Sequence, residues 1–110
     1  MREPEYVLCA AIWVDTGKAE PPRRSYSYPE TGLLFCGWRH ADCFVAIHAW
    51  ANLLPAEERE RLAEQIAGKN QGFLTSTGRF VDRHHAATIA RRSGQLPSDV
   101  GRDLFSEDLY

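Results

Sequence analysis

The C-terminal part of the chain, residues 71–110, carries the side chains best suited to bind a ligand. Phe73 precedes a glycine-containing turn, and Arg79, Asp82 and Arg83 follow that turn at the start of a predicted helix. Aromatic rings stack on nucleobases, and arginines together with the N–H groups at a helix start bind phosphate. This combination indicates a site for a ligand that carries a base and phosphate groups.

The same residues also fit a purely structural role. Side chains alternate along a strand, so Phe73 shares one face with Thr75. Aromatic residues on paired strands are more often part of a core than a ligand platform, and Asp82 is a typical N-cap. Arginine on both sides of that cap, beside a glycine-bounded loop, is the feature that favours binding.

A second candidate lies at residues 37–43, Gly-Trp-Arg-His-Ala-Asp-Cys, where a predicted strand is followed by a helix. Arg39 and His40 would stand near the helix N-terminus, where an anion is stabilised. They are therefore candidates for contact with phosphate or ribose. The alternative is that Asp42 caps the helix while Arg39 is a solvated charge.

Histidine and cysteine residues raise the question of a metal site, with candidate ligands at Cys36, His40, Cys43 and His48. Their spacing lacks the paired cysteines of a zinc knuckle, and Cys43 falls on the apolar face of its predicted helix. We therefore expect neither a metal nor another cofactor.

A catalytic site has equally weak support. The chain contains no nucleophile elbow, no phosphate-binding P-loop and no zinc-protease helix motif. His40 with Asp42, or His84 with Asp82, could form a base and its partner, but residues two positions apart point to different faces of a helix. We expect no catalytic residue.

Length and composition limit the class of protein. With 110 residues, 44% of them hydrophobic, the chain is expected to form one domain, residues 1–110, with a modest core. A net charge of −2 argues against binding to duplex nucleic acid, although a local cluster of arginines is enough for a small anionic ligand. Three cysteines without a signal peptide indicate reduced thiols in the cytoplasm, and the longest apolar run, residues 6–14, is too short to cross a membrane.

Hydrophobic periodicity predicts an α+β fold, a small antiparallel sheet packed with helices. The expected elements are strands at residues 6–14 and 33–36, helices at 40–52 and 55–68, a hairpin at 72–81 and a helix at 83–93. Asp82 is expected to cap the last helix and Gly94 to end it. Residues 19–32 are expected to form a loop, in which alternating serine and tyrosine allow a short edge strand.

The tail at residues 104–110 ends in Leu-Tyr, which is less typical of a solvated tail. We expect Leu104 and Phe105 to dock on the body of the protein. The acidic residues that follow would then pair with Arg91 or Arg92.

Several of these segments together resemble the first family of phage Thoeris anti-defence proteins. The resemblance extends from about Trp13 to the C-terminus and is carried by residues 37–43, 71–73, 78–83, 90, 93–95 and 104–110. It implies an α+β protein that forms homodimers and, in some members, hexamers. It also implies a sponge rather than an enzyme, which binds a cyclic ADP-ribose isomer made by a bacterial TIR-domain protein and does not degrade it.

The resemblance also implies where the ligand binds. The site would lie between two subunits, and some members hold cyclic oligonucleotides at separate sites. The residues that would form the pocket are Arg39, His40, Phe73, Arg79, Asp82, Arg83 and Arg102. Phe73 would stack on the base or line the pocket, and Arg102 would close over the ligand from the tail. The chain departs from the family pattern at Trp38, Ala41 and the pair His84 and His85, which bears on the identity of the nucleotide more than on the fold.

The expected function is therefore sequestration of a cyclic nucleotide immune signal in the cytoplasm of an infected bacterial host. Two alternatives stay open. A protein-binding inhibitor of a host defence enzyme would use the surfaces of Trp38, Trp50, Tyr26 and Tyr28. An enzyme that cleaves a cyclic nucleotide would use His40 or His84 as its base.

Overall fold

The fold is built on a four-stranded antiparallel sheet in which the longest apolar run forms a central strand. The computed structural model describes residues 5–17, 32–97, 101–105 and 108–109. The short edge strand considered for residues 19–32 lies outside these ranges. The sheet order is β2-β1-β3-β4, and every paired neighbour is antiparallel.

The elements follow the predicted order. The strands are β1 (Val7–Val14), β2 (Leu33–Gly37), β3 (Asn70–Thr75) and β4 (Phe80–Val81), and the helices are α1 (His40–Ala51), α2 (Ala56–Arg61), α3 (Ala63–Ile66) and α4 (Arg83–Ser93). The α+β prediction is confirmed. No helix within the described ranges is long and apolar enough to span a bilayer.

One predicted helix is interrupted. The stretch at residues 55–68 forms α2 and α3, which are separated at Leu62, where φ is −99° and ψ is 10°. Leu62 is 3% exposed, so the break accompanies burial of its side chain. The correction is local, because both short helices lie inside the predicted range.

The core lies on one face of the sheet, beneath α1 and α4. Ala10 of β1 pairs with Phe73 of β3, which in turn pairs with Val81 of β4, so the three side chains share that face. The helices close it with small and branched side chains at Cys43, Ile47, Ala86, Ala87, Ile89 and Ala90. Alanines on α4 let the helix approach the strands closely.

The ends of α4 agree with the sequence prediction. The Asp82 carboxylate accepts a hydrogen bond of 2.7 Å from the backbone N–H of His85, and Gly94 ends the helix with φ at 83°. A positive φ costs glycine little because it has no Cβ. Arg83 therefore stands at the first position of a helix whose start is well defined.

Replacement of Asp82 by alanine should lower the free energy of unfolding by about 1 kcal/mol, because one N–H at the start of α4 loses its partner. Urea denaturation measures this loss. Asp82→Asn is the matched control, since asparagine caps nearly as well. Equal stability of the two variants would contradict the capping role.

Candidate ligand-binding site

The N-termini of α1 and α4 meet at two successive residues of β3. His40, the first residue of α1, donates from Nε2 to the carbonyl oxygen of Gly72 over 2.9 Å. Arg83, the first residue of α4, donates from Nη2 to Oε1 of Gln71 over 2.6 Å. The positive ends of both helix dipoles therefore lie beside the same strand segment, which favours an anion nearby.

Gly72 is required at this point by close packing. A Cβ built on it would lie 2.1 Å from the carbonyl oxygen of Val81 and 3.0 Å from the ring of Phe80. Only a residue without a side chain lets β4 and its aromatic ring approach β3 this closely. The glycine in the Gln-Gly-Phe segment thus has a structural explanation.

The tail is fixed against the start of α4. The backbone N–H of Leu104 donates to the carbonyl oxygen of Arg83 over 3.1 Å, and Leu104 is fully buried. Arg83 returns a longer bond from Nη1 to the carbonyl oxygen of Leu104, at 3.4 Å. Burial of Leu104 places the next residue, Phe105, at the surface beside the helix start.

Phe105 forms an exposed aromatic surface between two arginines. Its side chain is 44% exposed, and the guanidinium carbons of Arg83 and Arg102 lie 5.1 and 5.5 Å from the ring centroid. Both distances are within the range of a cation–π interaction. We refer to Arg83, Phe105 and Arg102 as the tail cluster.

Asp108 organises the tail cluster. Its carboxylate accepts hydrogen bonds of 2.7 and 2.6 Å from the two terminal nitrogens of Arg102, and one of 2.8 Å from the backbone N–H of Phe105. The bonds from Arg102 hold the pKa of Asp108 below its ordinary value. The expected partners of the acidic tail were Arg91 or Arg92, and for Asp108 this was wrong, because its carboxylate binds Arg102 and the backbone N–H of Phe105. Residue 107 lies outside the described ranges.

The tail cluster has capacity for an anion. Arg83 uses two of the five N–H groups of a guanidinium in its bonds to Gln71 and Leu104. Arg102 is engaged by a carboxylate, which a phosphate of similar geometry can replace. The cluster therefore combines a partly exposed ring with two guanidiniums that can bind phosphate oxygens.

The family comparison covers nearly all of this architecture. A model of the phage T4 y16D protein family matches residues 6–110. The chain belongs to that family. No curated protein and no solved structure shows a significant match.

The matched range of the y16D family extends from just before β1 into the tail, so it includes the sheet, α1, α4 and the tail cluster. The prediction of a phage protein is confirmed at the level of this family. The family description says nothing about a ligand or a partner.

His40 takes a structural position in this y16D-family protein. It is 7% exposed, and its ring meets the ring of Phe73 edge to face at 5.1 Å. Since Nε2 donates to Gly72, the imidazole anchors α1 to β3. This burial keeps the His40 ring away from the surface and argues against the expected contact with phosphate.

Phe73 also lies in the core and not at a surface. It is fully buried, and it is the largest of the fully buried side chains in the described part of the chain. A base cannot stack on a ring whose faces are covered by protein. The burial of Phe73 argues against the expected stacking role, whereas Phe105, next to Arg83, is 44% exposed.

Arg39 and Asp42 form the start of α1 at the surface. The backbone N–H of Arg39 donates to Oδ2 of Asp42 over 3.1 Å, which is the capping arrangement considered from the sequence. Arg39 is exposed beside the same helix end that His40 anchors to Gly72. It is thus placed to add positive charge near the meeting point of the two helices.

Arg79 is separated from the tail cluster. Its guanidinium pairs with Glu5 through bonds of 2.9 and 2.5 Å, next to Thr75 at the turn end of β3. Arg83 binds Gln71 at the other end of β3, which is roughly 13 Å away at about 3.3 Å per residue. The sequence analysis grouped Arg79 and Arg83 in one pocket, whereas here they bind at opposite ends of β3.

Glu5 makes the hairpin end sensitive to acid. The hydrogen bond from Arg79 is the largest cause that lowers the pKa of Glu5 to about 2, and the hydroxyls of Thr75 and Thr77 contribute. The folded pKa lies below the unfolded value, so Glu5 stabilises the protein above about pH 4.5 and this contribution is lost as pH falls toward 2.

Glu5→Gln should therefore be less stable than the parent protein at neutral pH, with a difference that disappears as pH falls from 4.5 toward 2. Thermal unfolding across this pH range measures it. Glu60→Gln, at an exposed position on α2, is the control for loss of a carboxylate. A constant difference across the range would contradict the Arg79–Glu5 interaction.

Described residues outside the tail cluster also line cavities at the surface. One, of about 260 Å³, is lined by Glu5, Arg79, His85, Thr88, Ile89 and Arg92. Another, of about 450 Å³, is lined by Leu8, Cys9, Cys36, Gly37 and Trp38. Among the described residues there is no group of three or more histidine, cysteine or acidic side chains arranged to hold a metal ion.

The sequence analysis did not single out Phe105 as a site residue, whereas it did single out Phe73, which the structure places in the core. The available signal was the Leu-Phe pair in an otherwise polar tail, which predicted docking but not which of the two side chains would stay exposed. Gln71 was part of a recognised segment, yet its contact with Arg83 depends on the approach of α4 to β3.

Proposed function

We propose that this protein sequesters a cyclic nucleotide immune signal, a cyclic ADP-ribose isomer made by TIR-domain proteins, and does not degrade it. The observation that carries the proposal is the tail cluster, an exposed ring flanked by two guanidiniums beside the N-terminus of α4. Membership of a phage family and the resemblance to Thoeris anti-defence proteins support it. The site of action is then the cytoplasm of the infected bacterium.

The chemistry of the tail cluster matches the parts of such a ligand. Phe105 offers a stacking surface for adenine, worth about 1–3 kcal/mol. Arg83 offers N–H donors to a phosphate, and charge-assisted hydrogen bonds are worth about 1.5–3 kcal/mol each. The second phosphate takes the place of Asp108 on Arg102.

One tail cluster falls short of the affinity that a sponge needs. Nanomolar binding corresponds to about −12 kcal/mol, and a solvent-facing ring with two arginines supplies only part of it. A second copy of the chain that covers the ligand would add another set of contacts and exclude water. We therefore include a homodimer in the proposal, with a hexamer as its larger form.

A second candidate function is cleavage of the same ligand. His84 follows Arg83 directly, is 84% exposed, and its Nδ1 lies 3.4 Å from Oδ1 of Asp103. A carboxylate that orients an imidazole is a common feature of a general base. The His84–Asp103 pair lies beside the tail cluster and is the observation that favours this alternative.

A protein-binding role draws on different residues. Trp38 is 66% exposed and lines the 450 Å³ cavity. The ring of Trp50, in contrast, packs against the ring of Phe35, with the two centroids 5.5 Å apart. Tyr26 and Tyr28 lie outside the described ranges. An exposed tryptophan at an apolar surface is frequent where proteins bind each other.

A capture-and-release experiment separates these functions. Purified protein is mixed with cyclic ADP-ribose isomers and, separately, with cyclic di- and trinucleotides; free ligand is removed, the protein is heated and the supernatant is analysed by mass spectrometry. Release of an intact nucleotide supports the sponge, and release of a cleaved product supports the enzyme. If no nucleotide is retained or altered, the nucleotide proposal fails and the protein-binding role gains support.

A further inference from the structure

Cys9 and Cys36 lie side by side on the face of the sheet that points away from α1 and α4. Cys36 of β2 pairs with Ala11 of β1, and Cys9 precedes Ala11 by two positions. Residues two apart on a strand share a face, so the two cysteines are diagonal neighbours across β1 and β2. The core residues Ala10 and Ile12 occupy the opposite face.

The two thiols are hydrogen-bonding partners. The Cys36 thiol donates a hydrogen bond to the sulfur of Cys9, and the backbone N–H of Gly37 donates to the same sulfur. Both donors stabilise a thiolate at Cys9, whose pKa is lowered to about 7, while the pKa of Cys36 is raised because its proton is held by Cys9. Cys9 is thus the nucleophile of the pair and Cys36 its neighbouring thiol.

The pair is reachable from solvent, in contrast to the third cysteine. Cys9 and Cys36 both line the 450 Å³ cavity, and Cys36 is exposed. Cys43 lies on the face of α1 that packs into the core. It is fully buried, and this burial raises its pKa to about 11. A small polar oxidant therefore meets Cys9 and Cys36 but not Cys43.

We propose that Cys9 and Cys36 form a peroxide-oxidised dithiol that closes to a disulfide between β1 and β2. The Cys9 thiolate attacks one oxygen of hydrogen peroxide, the O–O bond breaks, and hydroxide leaves with Cys9 as a sulfenic acid. The Cys36 sulfur then attacks the Cys9 sulfur, the S–O bond breaks, and water leaves. Two thiols and one peroxide give one disulfide and two water molecules.

The position of β2 allows the bond to close. Diagonal neighbours in a sheet have Cα atoms about 7–8 Å apart, whereas a disulfide needs about 4.4–6.8 Å. Among the described strands β2 lies at the edge of the sheet and pairs only with β1, so a shift toward Cys9 would break no other ladder described there.

The test treats reduced protein with an equimolar amount of hydrogen peroxide at pH 7.5, followed by alkylation and peptide mass mapping. The parent protein and Cys43→Ser should each lose about 2 Da and yield a linked peptide that contains Cys9 and Cys36. Cys36→Ser should stop at a sulfenic acid on Cys9, trapped by dimedone. Cys9→Ser should react several-fold more slowly, because it lacks the thiolate that the hydrogen bonds to Cys9 stabilise.

Thermal unfolding of each variant establishes that the folded protein is being compared. The proposal is overturned if the parent protein gives no linked peptide, or if the only disulfide joins two chains through Cys36. It is also overturned if Cys9→Ser and Cys36→Ser react with peroxide at the same rate. None of these outcomes depends on whether the tail cluster binds a nucleotide.

Discussion

Replacement of Arg83 by alanine should weaken retention of a cyclic ADP-ribose isomer by about ten- to a hundredfold. The variant loses the charge-assisted hydrogen bonds to phosphate, which are worth about 1.5–3 kcal/mol. It also loses the cation–π contact in which the guanidinium carbon lies 5.1 Å from the centroid of the Phe105 ring. Isothermal titration calorimetry, or the capture-and-release experiment with a dilution series, measures the change.

Two variants make this result specific. Arg83→Lys keeps the charge but not the planar fork, so it should recover part of the affinity. Arg59→Ala removes one positive charge from an exposed position on α2 and should leave retention unchanged. If Arg83→Ala retains ligand as well as Arg59→Ala does, the tail cluster is not the site, whether or not the protein is a sponge.

Replacement of Phe73 by alanine should lower the free energy of unfolding by about 3–5 kcal/mol. The ring is fully buried between the sheet and the helices, and its removal loses apolar contacts and leaves a cavity. It also removes the edge-to-face partner of His40 at 5.1 Å. Urea denaturation, with the midpoint and slope recorded separately, measures the loss.

Phe105→Ala is the matched control, since it deletes the same atoms from a position that is 44% exposed. It should change stability far less than Phe73→Ala and should reduce nucleotide retention about tenfold, as expected when a base loses a stacking partner. The reverse pattern, a stable Phe73→Ala that fails to retain ligand, would return the stacking role to Phe73 and remove it from Phe105.

The proposed dithiol is independent of this ligand site. Cys9 and Cys36 lie on the sheet face opposite the helices, whereas the tail cluster lies beside the N-terminus of α4. The two sites can therefore be tested on the same protein preparation, and Cys36→Ser should retain nucleotide as the parent protein does.

Local signals in the sequence were sufficient for most of the secondary structure. The two ends of α4, at Asp82 and Gly94, could be predicted from the sequence. Capping depends on a side-chain oxygen at the start and on tolerance of positive φ at the end, and both are properties of single residues. The apolar run of β1 and the glycine turn after β3 were equally readable. The break at Leu62 was not, because it accompanies burial of a side chain that helix periodicity alone does not require.

The sequence by itself determined the α+β class, the helix caps and the short list of residues able to bind a base or phosphate. Only the tertiary structure decided which of them remain accessible. Strand alternation shows that Phe73 and Thr75 share a face, but the packing of α1 and α4 determines that this face is covered. The same packing buries His40 against Gly72. Arg79 pairs with Glu5 because the chain before β1 lies beside the turn between β3 and β4. Phe105 stays exposed between two arginines because Leu104 anchors the tail, a contact between residues about twenty positions apart that no local pattern specifies.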